Sequence, residues 1–401
     1  MKKLLLCLSL ATLIFAGGCS DDDDDNNGGD NFFEGDQLQG DITQDVSLDA
    51  SVTYTLTGIL SVKTGATLTI PAGTMIKAKG GATAFYQYVV VEQGGKIMAE
   101  GTAEKPITFT SGVANPAPGD WGGLIINGYA PISGATSGTT GTTEIDEDLP
   151  YGGTKADDNS GVLKYVILSY TGARSTADIE HNGLTLDAVG SGTTIENIYV
   201  PYTSDDGVEF FGGSVTVKNM LVVDSDDDMF DNTQGWTGTL DNAYGIWTTN
   251  RPSSTESDPR GIESDGNLDG NGPDHVDQSN YMMKNITIVN NSTYTMNDCV
   301  KIRRGATATI TNLLIKNGST GDVIDITDSK GLGNDATNIN FTATNVTYTD
   351  NEINREYHVK DALGNPTGEV WTSNATITSS TTNTGANTSV FGWTGYIFPS
   401  N

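Results

Sequence analysis

Ile195-Glu-Asn197-Ile-Tyr-Val200, Val217-Lys-Asn219-Met-Leu-Val222, Leu240-Asp-Asn242-Ala-Tyr-Gly245, Met283-Lys-Asn285-Ile-Thr-Ile288, Ile310-Thr-Asn312-Leu-Leu-Ile315 and Ala343-Thr-Asn345-Val-Thr-Tyr348 are variants of a single phrase. Its Asn recurs at intervals of 22, 23, 43, 27 and 33 residues. A β-rich unit of that length is the mark of a solenoid, because no single unit buries its apolar face alone and stacked units share one core. The repeated Asn reads as a corner residue whose amide bonds to the Asn of the next coil.

A second strand follows each phrase about half a coil later. Asn197 precedes Glu209 by 12 residues, Asn219 precedes Asp231 by 12, Asn285 precedes Lys301 by 16 and Asn312 precedes Asp325 by 13. Upstream, short strands are expected at residues 52–57, 60–62, 66–70, 74–79, 88–91, 95–97, 107–109 and 120–126, with Gly65 and Gly73 as corners. The expected fold is all-β: a single-stranded, right-handed parallel β-helix with loop excursions. The excursions are expected at residues 134–158, 248–260 and 265–280. Residues 389–398 are apolar enough to cap the final coil.

The chain has 401 residues, 49 of them Gly, and a formal charge of −30. Strong acidity repels nucleic acid and anionic membrane, which excludes both as partners of the folded body. His181, His275 and His358 are the whole histidine complement, so a His/Cys zinc site is not expected. Of Cys7, Cys19 and Cys299, only the last is left free in the body, which rules out an internal disulfide there. By alternation from Val300, Cys299 points outward as an inert small residue.

Met1-Lys-Lys and an apolar run of 13 residues, 4–16, form a signal peptide over residues 1–18. Ala16-Gly-Gly before Cys19 looks like a bacterial lipoprotein signal, with Cys19 as the acylated residue. Residues 19–45 read as an acidic disordered tether and 46–401 as the β-helix. The Ser-Asp run after Cys19 resembles the surface-export signal of Bacteroidetes lipoproteins. That resemblance implies an outer-membrane, cell-surface protein held to the membrane only through the lipid on Cys19. The protein is expected to act as a monomer.

Strand alternation puts Val208, Phe210, Phe230, Ile262, Val300, Ile302, Ile324 and Ile326 inside. Glu209, Asp231, Glu263, Lys301 and Asp325 then point outward in one column, with Asp205, Asp206, Asp226, Asp227, Asp228 and Asp265 at the corner beside it. Stacked carboxylates repel, so a divalent cation or Lys301, Arg303 and Arg304 must balance them. Calcium suits oxygen ligands, and Glu209, Asp231 and Glu263 are one candidate set. A second is Asp265-Gly-Asn267-Leu-Asp269-Gly270, which resembles half of a calcium loop. It has Val276 where Glu is usual, with Asp274 and Asp277 as substitutes.

Asp120-Trp-Gly-Gly, Tyr151-Gly-Gly, Leu163-Lys-Tyr-Val, Asn182-Gly-Leu-Thr-Leu, Ser204-Asp-Asp-Gly-Val-Glu-Phe-Phe-Gly-Gly213, Asp226-Asp-Asp-Met-Phe-Asp231 and Gly261-Ile-Glu-Ser-Asp265 together resemble a family of extracellular β-helix proteins. The family occurs in Bacteroidetes and related marine bacteria, and its members are mostly hypothetical proteins or lipoproteins. The resemblance runs from about residue 50 to the end. It implies a pectin-lyase-like right-handed β-helix and no agreed activity.

Three functions fit these residues. The preferred one is a non-catalytic, calcium-stabilised binding or adhesion module for a polysaccharide or surface protein. It would use the loops at 135–158, 174–182 and 248–280, with Trp236, Tyr244 and Trp247 stacking on sugar rings. The second is a polysaccharide lyase, with Lys301 or Arg303 as base, or a hydrolase using Asp227 and Asp231. The third is an accessory lipoprotein of an outer-membrane transporter.

Overall fold

A computed structural model describes residues 33–176, 179–268 and 275–399. The lipidation candidate Cys19 and the calcium candidates Asp269 and Asp274 lie outside the described residues. Among them, strands stack in register into one 26-stranded sheet that winds into a right-handed parallel β-helix. No helix among the described residues is long and apolar enough to cross a membrane.

Each central coil contributes a short strand and a long one. The short strands Leu124–Asn127, Leu184–Asp187, Val208–Phe211, Phe230–Thr233 and Ile262–Ser264 pair in parallel, each with the next. The long strands Gly161–Leu168, Thr194–Pro201, Thr216–Val223, Thr239–Trp247, Asn280–Asn290 and Thr307–Lys316 do the same. The first coil begins earlier than expected. Gln37–Ile42 pairs with Thr53–Val62, and Leu38 and Ile42 enter the core. A few apolar residues among polar neighbours suffice to add a rung once the strand below offers its backbone groups.

Five of these long strands bend at the repeated Asn, and Gly161–Leu168 bends at Tyr165, with φ 51°. Asn197, Asn219, Asn242, Asn285 and Asn312 have φ between 54° and 64°. This left-handed conformation costs most residues about 1–2 kcal/mol, and Asn tolerates it best after Gly. The side chains form the expected ladder. Nδ2 of Asn219 donates to Oδ1 of Asn197 at 3.0 Å, Asn242 to Asn219 at 2.9 Å and Asn312 to Asn285 at 2.8 Å. The ladder breaks once, where Asn285 donates to Asp241 at 2.8 Å. Asn345 does not belong to it. A register shift follows Ile310, Lys316 pairs with Thr344, and Asn345 falls at the corner of Asn317.

Asn219 therefore serves both the corner and the ladder, and two substitutions separate the roles. Asn219→Gly loses the ladder bonds and keeps the conformation, whereas Asn219→Ala loses both. Urea denaturation should find the Ala variant less stable than the Gly variant by about 1 kcal/mol. Equal midpoints would show that the hydrogen bonds alone select Asn here.

All the residues expected inside belong to one continuous core. Cys299 belongs to it too, contrary to the alternation argument. Cys299 and Val300 are consecutive in the strand Thr295–Lys301 yet both belong to the core, and burial pushes the Cys299 thiol up to about 12. The C-terminal segment does not cap the final coil. It runs back along the Asn ladder, where Gly385 N donates to Asn312 Oδ1 at 3.1 Å and Asn387 N to Asn242 Oδ1 at 2.6 Å. Phe391 then packs on Leu221, Val223, Tyr244 and Ile246, covering apolar side chains on the outer face of the middle coils.

Candidate cation and ligand site

The expected column is present. Glu209 pairs with Asp231, Asp231 with Glu263, and Lys301 with Asp325, while Ile262 opposite Val300 sets Glu263 beside Lys301. A second column lies one corner away. Backbone bonds from Gly183 to Asp206, Gly207 to Asp228, Met229 to Arg260 and Gly261 to Asp298 align Asn182, Asp206, Asp228, Arg260 and Asp298 coil upon coil. Charge is distributed unevenly along both columns.

Toward the C-terminus, bases neutralise the acids. Lys301 is buried and bonds to Asp325. Arg260, with its side chain 4% exposed, reaches Glu263 and Asp258 at 2.6 Å and Asp298 at 3.3 Å. Arg303 joins Glu263 and places Nε 2.6 Å from Asp265 Oδ1, and Arg304 lies 3.0 Å from Asp265 Oδ2. These contacts engage the residues named as candidate bases and calcium ligands. Lys301 and Arg303 are held in ion pairs and are not placed as free bases. Both oxygens of Asp265 face guanidinium groups, Glu263 lies between two arginines, and Asp277 is exposed. Asn267 is buried, and its carbonyl oxygen accepts from Thr233 Oγ1.

Toward the N-terminus, Asp205, Asp206, Glu209, Asp227, Asp228 and Asp231 make no such ion pair among the described residues, although Arg174 lies near Asp205. In two groups, Asp205–Asp206–Asp227 and Asp206–Glu209–Asp231, one oxygen from each residue lies within 4.8 Å of the others. Burial first, then repulsion from neighbouring carboxylates, pushes Asp205, Asp206, Glu209, Asp228 and Asp231 well above the ordinary carboxylate range. Asp227 is pushed up to about 8 by burial and by Glu263. Oδ1 of Asp227 and Oδ1 of Asp231 are buried without a hydrogen-bond partner among the described residues. Two states satisfy this arrangement: protonated carboxyls, or carboxylates around a divalent cation. An all-oxygen donor set fits calcium.

Beside these acids lies an open groove of about 450 Å³ lined by Arg174, Ser204, Asp224, Asp226, Arg251 and Thr255, among others. Its walls are cross-braced. Arg251 stacks over Trp247 at 3.9 Å and donates to the Asp226 carbonyl at 2.7 Å, and Thr255 Oγ1 donates to Asp226 Oδ2 at 2.6 Å. Arg174 ties Glu180 to Glu256 and the Ser204 carbonyl. Trp236, Tyr244 and Trp247, expected to meet sugars, are buried instead. Trp236 is stacked between Phe210 at 4.1 Å and Tyr281 at 5.2 Å. An accessible aromatic beside the groove is Tyr202, 38% exposed and stacked on Tyr170 at 5.3 Å, next to groove residue Thr203. The positive-φ corner shared by Tyr170, Tyr202 and Asp224 sets its position.

The stacked coils and the acidic flank define a parallel β-helix protein of the pectate-lyase kind. Residues 40–396 match the model of the pectate-lyase-like β-helix domain family, and the chain belongs to that family. Among solved structures, the chain is similar to the catalytic domain of a GH87 alpha-1,3-glucanase in complex with nigerose. The identity is 14% over 86% of this chain and 69% of that one, with a TM-score of 0.31. A variant of that catalytic domain in complex with tetrasaccharides matches at 13% identity over the same shares, with a TM-score of 0.33. No curated protein matches the chain.

Proposed function

We propose that this protein binds a polysaccharide in the groove beside its acidic columns, without cleaving it, and that calcium steadies the neighbouring carboxylates. The observation that carries this reading is the separation of the two features. The groove is open and braced, whereas Asp205, Asp206 and Asp228 are buried and the bases Lys301 and Arg303 are bound in ion pairs. Hydroxyls, carboxylates and guanidinium groups offer hydrogen bonds to sugar hydroxyls, and Tyr202 offers a ring face. Lipid attachment at Cys19 would display the body at the cell surface. Metabolic labelling with a fatty acid, lost in Cys19→Ser, tests that part.

Binding is tested by affinity electrophoresis through a panel of neutral and acidic polysaccharides. One of them should retard the purified body, and Tyr202→Ala should weaken the retention by up to about ten-fold, the worth of one aromatic contact. Retention unchanged in that variant would remove Tyr202 from the site, and no retention by any polysaccharide would count against the reading. One observation favours hydrolysis as a second reading. Asp227 is only half-buried, and a carboxyl pushed up to about 8 is a general acid at neutral pH. Release of reducing ends by the wild type, abolished in Asp227→Asn, would decide for that reading.

A further inference from the structure

Thr140–Thr143 and Asp146–Gly152 form an antiparallel hairpin whose turn lies against the first acidic coils. A second small hairpin, Arg174–Thr176 with Ile179–Glu180, borders the same place. Between them and the coil lies a cavity of about 10 Å³, enough for one water-sized body. Its polar lining is Thr143, Glu144, Glu180, Asn182, Thr185 and Asp187, with Ile125, Ile145 and Phe211 as apolar walls.

Two oxygens there lack a donor. Asp187 is 1% exposed, and its Oδ2 has no hydrogen-bond partner among the described residues. Asn182 is 3% exposed and donates through Nδ2 to Glu209 Oε2 at 2.7 Å. That bond to a carboxylate fixes which end of the amide is nitrogen. Its Oδ1 is then the second buried oxygen without a donor. A folded chain rarely buries such groups unless something outside its own side chains meets them. A water molecule would supply two hydrogens and leave the negative charge of Glu144 and Asp187 facing each other. Burial and Glu144 already push the Asp187 carboxyl well above its ordinary range.

We infer that a calcium ion binds in this cavity, between Asp187 Oδ2 and Asn182 Oδ1, and pins the turn at Glu144 onto the flank of the β-helix. The donors are carboxylate, amide and hydroxyl oxygens, the set that a hard divalent cation takes. Glu180 brings a further carboxylate, itself 2.8 Å from Arg174. The site is separate from the Asp206–Glu209–Asp231 group, although Asn182 touches both through its bond to Glu209.

Calorimetric titration of the mature protein with calcium chloride, in metal-free buffer, tests the inference. Asp187→Asn should lose one equivalent of calcium that Asp206→Asn keeps. Calcium should also slow proteolysis within residues 134–158 of the wild type and not of Asp187→Asn. Glu144 is exposed on the hairpin, so Glu144→Gln leaves the coils intact should Asp187→Asn fail to fold. It should weaken the same equivalent about ten-fold or more. Full wild-type binding in both Asp187→Asn and Glu144→Gln would overturn the inference. So would a calcium-soaked crystal with only a water in the cavity, or a single equivalent lost with Asp206→Asn alone.

Discussion

Arg303→Met is expected to destabilise the body by about 3 kcal/mol, seen as a lowered urea midpoint with an unchanged slope. The size follows from burial. An exposed ion pair contributes at most about 1 kcal/mol, because water screens it and two long side chains must be ordered. Glu263 and Asp265 are not exposed: their side chains are 11% and 8% accessible. Removing the guanidinium leaves two desolvated carboxylates short of a partner. Arg260 still meets Glu263 and Arg304 still meets Asp265, which keeps the cost at the lower end of the range for breaking a buried pair.

A second substitution identifies the cause. Asp265→Asn removes one of the orphaned charges, so Arg303→Met/Asp265→Asn should recover part of the loss. The non-additivity should be about 1 kcal/mol or more, as expected of contacting groups. A loss below about 1 kcal/mol in the single variant would show that water reaches this column and that the arginine is dispensable for charge balance.

The column itself was legible in the sequence for a simple reason. Strand side chains alternate, and a slip of one residue would turn Phe210, Phe230 and Ile324 out to water while burying Glu209, Asp231 and Asp325. Register is thus fixed by hydrophobicity alone, and the offsets of 12–16 residues between paired strands carry it from coil to coil. The same reasoning fails where a strand departs from regular alternation or register. Within the strand Thr295–Lys301 the burial of residues 298–301 does not alternate, and Cys299 is buried beside Val300. At Ile310 the register shifts, and Asn345 joins another corner despite its matching phrase.

The site was less legible because its decisive members lie on excursions. Arg174 lies on a side hairpin and Arg260 at the end of an excursion, whose paths periodicity does not describe, yet they settle which carboxylates are neutralised. The Asp265 stretch resembles a calcium loop in composition, while the arginines that occupy Asp265 follow the strand Thr295–Lys301, 38 and 39 residues away. Asp187 sits in no repeated phrase. Its importance appears only when the 140–152 hairpin folds over it. Aromatic residues mislead in the opposite sense: Trp236 and Trp247 are both buried in the core, and the smaller Tyr202 reaches solvent.

In the presence of a chelator, the apparent melting temperature should fall as pH rises from 6.5 to 8. Asp205, Asp206, Glu209, Asp227, Asp228 and Asp231 have folded-state pKa values raised above those of the unfolded chain, near 3.8 for Asp and 4.5 for Glu. The native state therefore holds protons that the unfolded state releases, and stability declines with pH through the folded values, with Asp227 at about 8. Each such group contributes at most about 1.4 kcal/mol per pH unit while its two values straddle the pH. His181 acts in the opposite direction at lower pH. Burial lowers it to about 4, so the unfolded state binds the extra proton between there and its ordinary 6.5, and stability rises with pH over that span. Above 6.5 this opposition ends and the carboxyls dominate. Calcium reverses the slope, because it binds the ionised forms and competes with protons. At fixed scan rate, excess calcium should thus raise the melting temperature more at pH 8 than at pH 6.5, and Asp206→Asn should flatten both trends. A melting temperature in chelator that stays level or climbs over this window would mean that the buried carboxyls already ionise freely in the native state, leaving a cation nothing to relieve.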